Sequence, residues 1–142
     1  HIDHVSQPSR ERSVVLLTER IKQRTWPEAF VVTGDFNAGE DNPAITYLKG
    51  KSRLPNAEGE RVTSSIPMVD TFRVVRANAT DVGTFNGFKG RRDGDKIDFV
   101  LAPASVKVLE AEIVVDDVDG RYPSDHFPVR ARVVLPGGAD SR

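Results

Sequence analysis

Short runs of β-branched and aromatic residues recur along this chain, and three of them meet an acidic side chain at one end. The first closes on Gly34, Asp35, Phe36 and Asn37; the second is Ile97, Asp98, Phe99, Val100 and Leu101; the third surrounds Ser124, Asp125, His126 and Phe127. Such a chain must build its core from short strands and deliver polar groups at strand ends. Between these runs lie segments with helical spacing, so the pattern predicts an α+β fold in which a mixed sheet carries helices on one face.

Val14, Leu17 and Ile21 recur at i, i+3 and i+7, which predicts an amphipathic helix from Pro8 to Gln23, with Trp26 acting as a lid over it. The nearly continuous apolar run Ala29 to Thr33 reads as a strand buried on both faces. Asn42 and Pro43 supply a cap and a first helical residue, so Ala44 to Lys49 is a short helix closed by Gly50. Residues 51–66 read as an exposed loop, Met68 to Val75 as a second short helix, and residues 76–95 as loop because of their glycines. Alternation predicts strands at Ile97 to Leu101, Val106 to Val115 and Phe127 to Leu135, the last two separated by a polar turn from Asp116 to Tyr122. Residues 1–136 form the domain, and 137–142 form a flexible tail.

The 142 residues carry 20 basic and 21 acidic side chains, a formal net charge of −1, so no global field draws the molecule onto a nucleic acid. Cysteine is absent, which removes disulfides, thiol nucleophiles and thiolate metal sites together. No apolar run approaches the roughly 20 residues that a bilayer core demands. The expectation is a soluble chain, in the cytoplasm or exported. Because its one methionine is Met68 and it starts at a histidine, it reads as part of a longer product.

An aspartate after a strand is ordinarily a turn or capping residue, and Ser124 with Asp125 could be a turn before Pro128. Three such ends, one bearing an imidazole, suggest phosphoester hydrolysis. That chemistry needs an oriented water, a proton acceptor, and stabilisation of the phosphoryl oxygens and the leaving group. Asp35 would orient or deprotonate the water, and Asn37 would donate to a phosphoryl oxygen. Asp98 would fix the tautomer of His126 and raise its pKa, and Asp125 is a natural Mg2+ ligand.

In this order, Gly34 to Asn37, Ile97 to Val100 and Ser124 to Val129 resemble the C-terminal signatures of the endonuclease/exonuclease/phosphatase (DNase I-like) family. His1, Ile2, Asp3 and His4 resemble its Thr-His-x-Asp segment, with His1 at the catalytic histidine. Thr84, Phe85, Asn86, Gly87 and Phe88 resemble a Thr-Phe-His-Gly-Phe segment of bacterial members, with Asn86 in place of the histidine. The resemblance implies a DNase I-like β-sandwich with flanking helices, of which this chain is the C-terminal half, and a metal-dependent phosphodiesterase or phosphomonoesterase. It implies catalytic roles for His1, Asp35, Asn37, Asp98 and His126, and metal ligation by Asp125 and Asp35. The ion is Mg2+, with Mn2+ as a substitute.

A family domain has an N-terminal half with an asparagine and the principal metal-binding glutamate, so this half alone is expected to be weakly active or inactive. Its partners are a phosphoester substrate (nucleic acid, inositide, phospholipid or small phosphoester) and the other half of the domain. An alternative is a non-catalytic module whose uncovered sheet face pairs two copies as a homodimer. The weak charge favours a small phosphoester or phospholipid over duplex DNA. A calcium loop starting at Asp35 is disfavoured, because Gly39 and Glu40 occupy the ligand and glycine positions it needs. His4 reads as a surface residue near the helix, and Lys89, Arg91, Arg92 and Lys96 as a basic loop beside Asp98, open either to a phosphate or to solvent.

Overall fold

The computed structural model describes residues 1–137; the tail expected at 137–142 therefore lies, apart from Gly137, outside the described residues. The first helix, α1 (Gln7–Gln23), starts where the Ser6 side chain accepts from the Ser9 amide. Val14, Val15 and Thr18 form its buried line, one residue away from the expected stripe at two positions. The inward Thr18 hydroxyl is satisfied by the Val15 carbonyl at 2.9 Å and the Tyr47 hydroxyl at 3.3 Å.

Strand β1 (Val32–Asp35) lies further along the chain than the apolar run suggests, and only one of its faces is covered. It pairs antiparallel with β5 (Asp98–Pro103), whose other edge takes β4 (Met68–Asp70). The mixed sheet expected from the sequence is thus corrected: every ladder among the described residues is antiparallel. Helix α2 (Pro43–Leu48) is capped by Asn42, which also exchanges side-chain hydrogen bonds with Gln7 and so ties α2 to the start of α1.

Three further expectations fail for local reasons. Residues 51–66 contain a hairpin, β2 (Arg53–Pro55) and β3 (Arg61–Thr63), because Leu54 drops into the core and the Asn56 side chain accepts from the Glu58 and Glu60 amides to close the turn. Met68 to Val75 divides into β4 and α3 (Thr71–Val75), since the Asp70 carboxylate accepts from the Phe72 amide and starts the helix there. Trp26 is 70% exposed. It follows the end of α1, off the apolar stripe, and Arg24 covers Phe30 with its guanidinium 4.3 Å from the ring centroid.

Two buried clusters result. The larger joins α1 and α2 to the three-stranded sheet through Val14, Ile45, Tyr47, Leu48, Phe99 and Leu101, with Phe36 meeting Phe99 edge to face at 5.6 Å. Burying each large apolar side chain here contributes roughly 1.5–3 kcal/mol. The smaller joins Phe72 and Phe127 to Ala111 and Ile113 of β6 (Lys107–Ile113), with Val129 and Ala131 of β7 (Val129–Val134) packed against it. On β7 the expected alternation holds: Val129, Ala131 and Val133 face inward while Arg130, Arg132 and Val134 face water. No described helix is long and apolar enough to cross a membrane.

Candidate active site

Antiparallel register places Asp35, the last residue of β1, directly opposite Asp98, the first of β5. Cross-strand partners share a face of the sheet, so two carboxylates emerge side by side at one sheet end, an arrangement that is repulsive unless a cation answers it. His126 answers it in part. Its Nδ1 lies 2.8 Å from Asp98 Oδ2, and one ligand atom from each of Asp35, Asp98 and His126 lies within 4.8 Å of the others.

Burial of the imidazole acts to lower its pKa, yet the hydrogen bond it donates to Asp98 and the charges of Asp98, Asp35 and Asp125 outweigh it, so the net shift is upward. His126 therefore keeps its proton to higher pH than a free imidazole. With Nδ1 given to Asp98, Nε2 has no protein partner among the described residues and is the nitrogen available to a ligand.

Asn37 sits at φ +44°, a left-handed conformation that asparagine tolerates, and this turns its amide back onto Asp35. Its backbone N–H donates to Asp35 Oδ1 at 2.7 Å, and its Nδ2 lies 3.0 Å from Asp35 Oδ2, 3.0 Å from the Ile2 carbonyl and 3.2 Å from His1 Nε2. His1 Nε2 in turn stands 3.5 Å from Asp35 Oδ2, with its ring 69% exposed. The Ile2 amide donates to the Asp35 carbonyl at 3.1 Å and holds this N-terminal segment against β1.

The structure thus brings His1, Asp35, Asn37, Asp98 and His126 to one end of the sheet. Asp125 is half-buried beside them and acts on the charge of His126, but it does not join the close triplet. His4 is exposed and takes no part in these contacts.

The loop carrying His126 is fixed from below by residues whose supporting role the sequence did not reveal. Thr84, fully buried, accepts from the Ile97 and Asp98 amides through its hydroxyl at 2.9 and 3.1 Å, while its carbonyl accepts from the Phe127 amide at 2.7 Å. One residue therefore locks both members of the Asp98–His126 pair. Asn86, 1% exposed, donates from its backbone to the Asp125 carbonyl at 2.7 Å and from Nδ2 to the Ser124 carbonyl at 3.2 Å. The motif around Thr84 flagged the segment; its supporting chemistry became visible only with the backbone partners in place.

Lys96 corrects another expectation. It is not part of an open basic loop but is buried with Asp70, Nζ to Oδ2 at 3.0 Å, and its ammonium lies 3.4 Å from the Phe99 ring centroid. Burial pulls its pKa below the usual lysine range, opposed by the charge and hydrogen bond of Asp70. A Lys sandwiched between an acid and an aromatic face two residues before Asp98 anchors the entry of β5.

The sequence matches the profile of the Endonuclease/Exonuclease/phosphatase family over residues 2–126. Among solved structures it is similar to the endonuclease/exonuclease/phosphatase from Bacteroides vulgatus, 28% identical with a TM-score of 0.74, over 96% of this chain and 48% of that one. It is also similar to a mannosyl-6-phosphatase from Bacteroides thetaiotaomicron VPI-5482, 25% identical with a TM-score of 0.69, over 94% of this chain and 49% of that one. A functionally unknown conserved protein from Enterococcus faecalis V583 shares the fold at 24% identity and a TM-score of 0.71, over 96% of this chain and 48% of that one. This chain spans about half the length of each of these structures. No curated protein matches its sequence. With the profile running through Asp35, Asp98 and His126, and with the same fold in these solved structures, the chain belongs to the endonuclease/exonuclease/phosphatase family.

Proposed function

We propose that this chain is the C-terminal, proton-handling half of a Mg2+-dependent phosphoester hydrolase. The observation that carries the reading is the 2.8 Å Asp98–His126 bond standing beside Asp35 at the end of the sheet. His126, whose pKa is raised against its burial by the hydrogen bond to Asp98 and the charges of Asp98, Asp35 and Asp125, presents Nε2 to a phosphoryl oxygen or to the leaving oxygen. Asp35 orients the attacking water and draws off its proton, and Asn37, which donates to that carboxylate from its backbone N–H and from Nδ2, holds it in place and would reach a phosphoryl oxygen only by exchanging an existing Nδ2 contact.

The donor set suits a hard cation. Opposed carboxylates at one sheet end leave excess negative charge, and Mg2+ is satisfied by one or two protein carboxylates with waters and substrate oxygens completing its shell. Asp35 and Asp125 would hold it, and Mn2+ would substitute. The bound ion would neutralise phosphoryl charge and lower the pKa of its water.

A net charge of −1 favours a small phosphoester over duplex DNA, and likeness to a sugar-phosphate phosphatase points the same way. On this reading the apolar Leu109, Val134 and Leu135, exposed on and after β6 and β7, are ground that the other half of the domain covers. The test is turnover of a phosphomonoester and a phosphodiester with Mg2+ by a domain that includes the upstream half. His126→Ala and Asp98→Asn should each lower kcat at least roughly 100-fold, and near-normal rates in both variants would sink the assignment. The 142-residue chain by itself should turn over only weakly.

A further inference from the structure

Lys49, Lys96, Arg73, Asp70 and Glu40 gather around the rings of Phe99 and Phe72, three cations against two carboxylates. Every carboxylate oxygen among them is taken. Asp70 accepts from the Phe72 amide through Oδ1 at 3.1 Å and from Lys96 through Oδ2 at 3.0 Å, and Glu40 accepts from Arg73 through both oxygens at 2.8 and 2.6 Å. Lys49 is the cation left over. It is half-buried, its ammonium stands 5.9 Å from the ring centroid of the fully buried Phe99, and its charge pushes against that of Lys96. A cleft of about 330 Å3 opens here, lined by Lys49, Lys51, Val69, Arg73 and Val74 among others, and it shares no residue with the Asp35, Asp98 and His126 triplet. Neither lysine has an ion-pair partner among the described residues. The turn that carries them is fixed: Gly50 takes φ +71°, the Lys51 amide donates to the Thr46 carbonyl at 2.8 Å, and a Cβ at Gly50 would come 2.9 Å from Pro67 Cβ, so the turn lies directly against the residue that leads into β4. Phe99 follows Asp98 on β5 and points to the opposite face of the sheet, which sets the Lys49 ammonium behind the catalytic carboxylates.

We propose that this cleft is a second anion site, separate from the catalytic one, that takes a phosphate group, free or carried on a small organic molecule. A partly desolvated cation is costly until an anion answers it, and no carboxylate of the network has an oxygen to spare for Lys49. An ammonium is a compact point charge with three donors, so two of them on one fixed turn complement a doubly charged oxyanion. The volume lies at the lower end of small-molecule pockets, which admits phosphate with a short substituent, and Val69 and the 54% exposed Val74 give that substituent an apolar wall. The inference stands apart from the phosphoesterase reading, since none of the residues assigned to that chemistry lines this cleft.

The test is an amide NMR titration of the domain that includes the upstream half, in metal-free buffer at constant ionic strength, with sodium phosphate, n-butyl phosphate and sodium chloride as separate arms. At least one of the two phosphates should shift the Gly50, Lys51 and Val74 amides saturably, with a Kd on the order of 1 mM, and chloride should not. The ratio of the two phosphate affinities identifies whether the free ion or the ester is preferred, while the Asp98 amide reports occupation of the catalytic site separately. The double variant Lys49→Gln with Lys51→Gln should weaken binding in the cleft at least roughly ten-fold and leave the response at Asp98 unchanged. Lys49→Arg, which keeps the charge, should retain binding. Without phosphate, the urea midpoint of the double variant should be no lower than that of the wild type, because the push of Lys49 on Lys96 has gone; a lower midpoint would mean that Lys49 is already answered within the fold, against the site. No saturable shift around Gly50, the same shift with chloride, or shifts that survive in the double variant would overturn the proposal.

Discussion

The cluster around Phe99 and the cluster around Phe127 meet at the Asp98–His126 pair, yet different forces hold them. Around Phe99 two helices and a three-stranded sheet close over many fully buried side chains, so dispersion and the hydrophobic effect dominate. Around Phe127 the apolar cluster among the described residues has only four buried members, and the region is secured largely by directed bonds: Phe127 amide to Thr84 carbonyl, Asn86 to the carbonyls of Ser124 and Asp125, and Arg73 to the carbonyls of Arg76, Ala77 and Ala79. Asp35 and Asp98 belong to the well-packed side, and His126 to the bonded side. A catalytic geometry that spans the two depends on the polar links between them more than on either core.

The contrast is broken most severely from the packed side. Phe99→Ala should cost about 3–5 kcal/mol in urea denaturation, since it removes a fully buried ring that also faces Phe36 and Lys96. Ile113→Val in the thin cluster should cost only about 0.5–1.5 kcal/mol. Equal losses would mean that the two clusters are one core.

Lys96→Met should cost about 3–5 kcal/mol, because Asp70 would be left charged and buried without its partner. The double variant Lys96→Met with Asp70→Asn keeps the helix cap and removes both charges. It should recover most of that loss in a double-mutant cycle, and additive losses would reject the pairing. Thr84→Val tests the link itself: two part-buried amides lose their acceptor, at roughly 1 kcal/mol each. It should also disturb the His126 ring signals in NMR, which Ile113→Val should leave in place.

How much of this was legible in the sequence follows the same division. The existence of α1, the Asn42–Pro43 start of α2, and the alternation in β5 and β7 are local signals and appear where the pattern put them, whereas the buried line of α1 is shifted from Leu17 to Thr18. The positions of Asp35, Asn37, Asp98 and His126 at strand ends were readable because a strand that stops at an acid is a short-range feature. Asp70 and Lys96 were not readable as a pair, because their partnership is set by the β4–β5 register across 26 positions of sequence. Thr84 was unreadable for a related reason: its hydroxyl serves amides 13 and 14 residues away, and nothing in its neighbourhood announces that. Trp26 shows the opposite failure, a large apolar residue that reads as core and lies in water because the helix ended three positions earlier.

A smaller effect sharpens the comparison through pH. Arg73 clamps Glu40 with two hydrogen bonds of 2.8 and 2.6 Å, joining the loop after β1 to α3. That contact holds the Glu40 carboxyl below the ordinary glutamate value of 4.5. A carboxylate with a lowered folded pKa gives stability that is fully present above its unfolded value and disappears as pH falls through the folded one. Wild-type stability should therefore decline below about pH 4.5 partly through this group, and Glu40→Gln should flatten that portion of the curve while costing on the order of 1–2 kcal/mol at pH 7. An unchanged acid limb in the variant would show that the clamp is not a link between the two regions.

Weakest of all should be the pairs of β6 with β7, where Arg132 meets Glu110 and Arg130 meets Glu112 across the ladder. Both arginines are well exposed, so solvent screening and side-chain entropy cancel most of the attraction. Arg132→Ala should leave the urea midpoint unchanged within error at 0.15 M salt. Should it instead lower the midpoint as much as Glu40→Gln does, those pairs would be carrying the hairpin, and the bonded side of the molecule would owe its order to surface charge as well as to the buried polar links around Thr84 and Asn86.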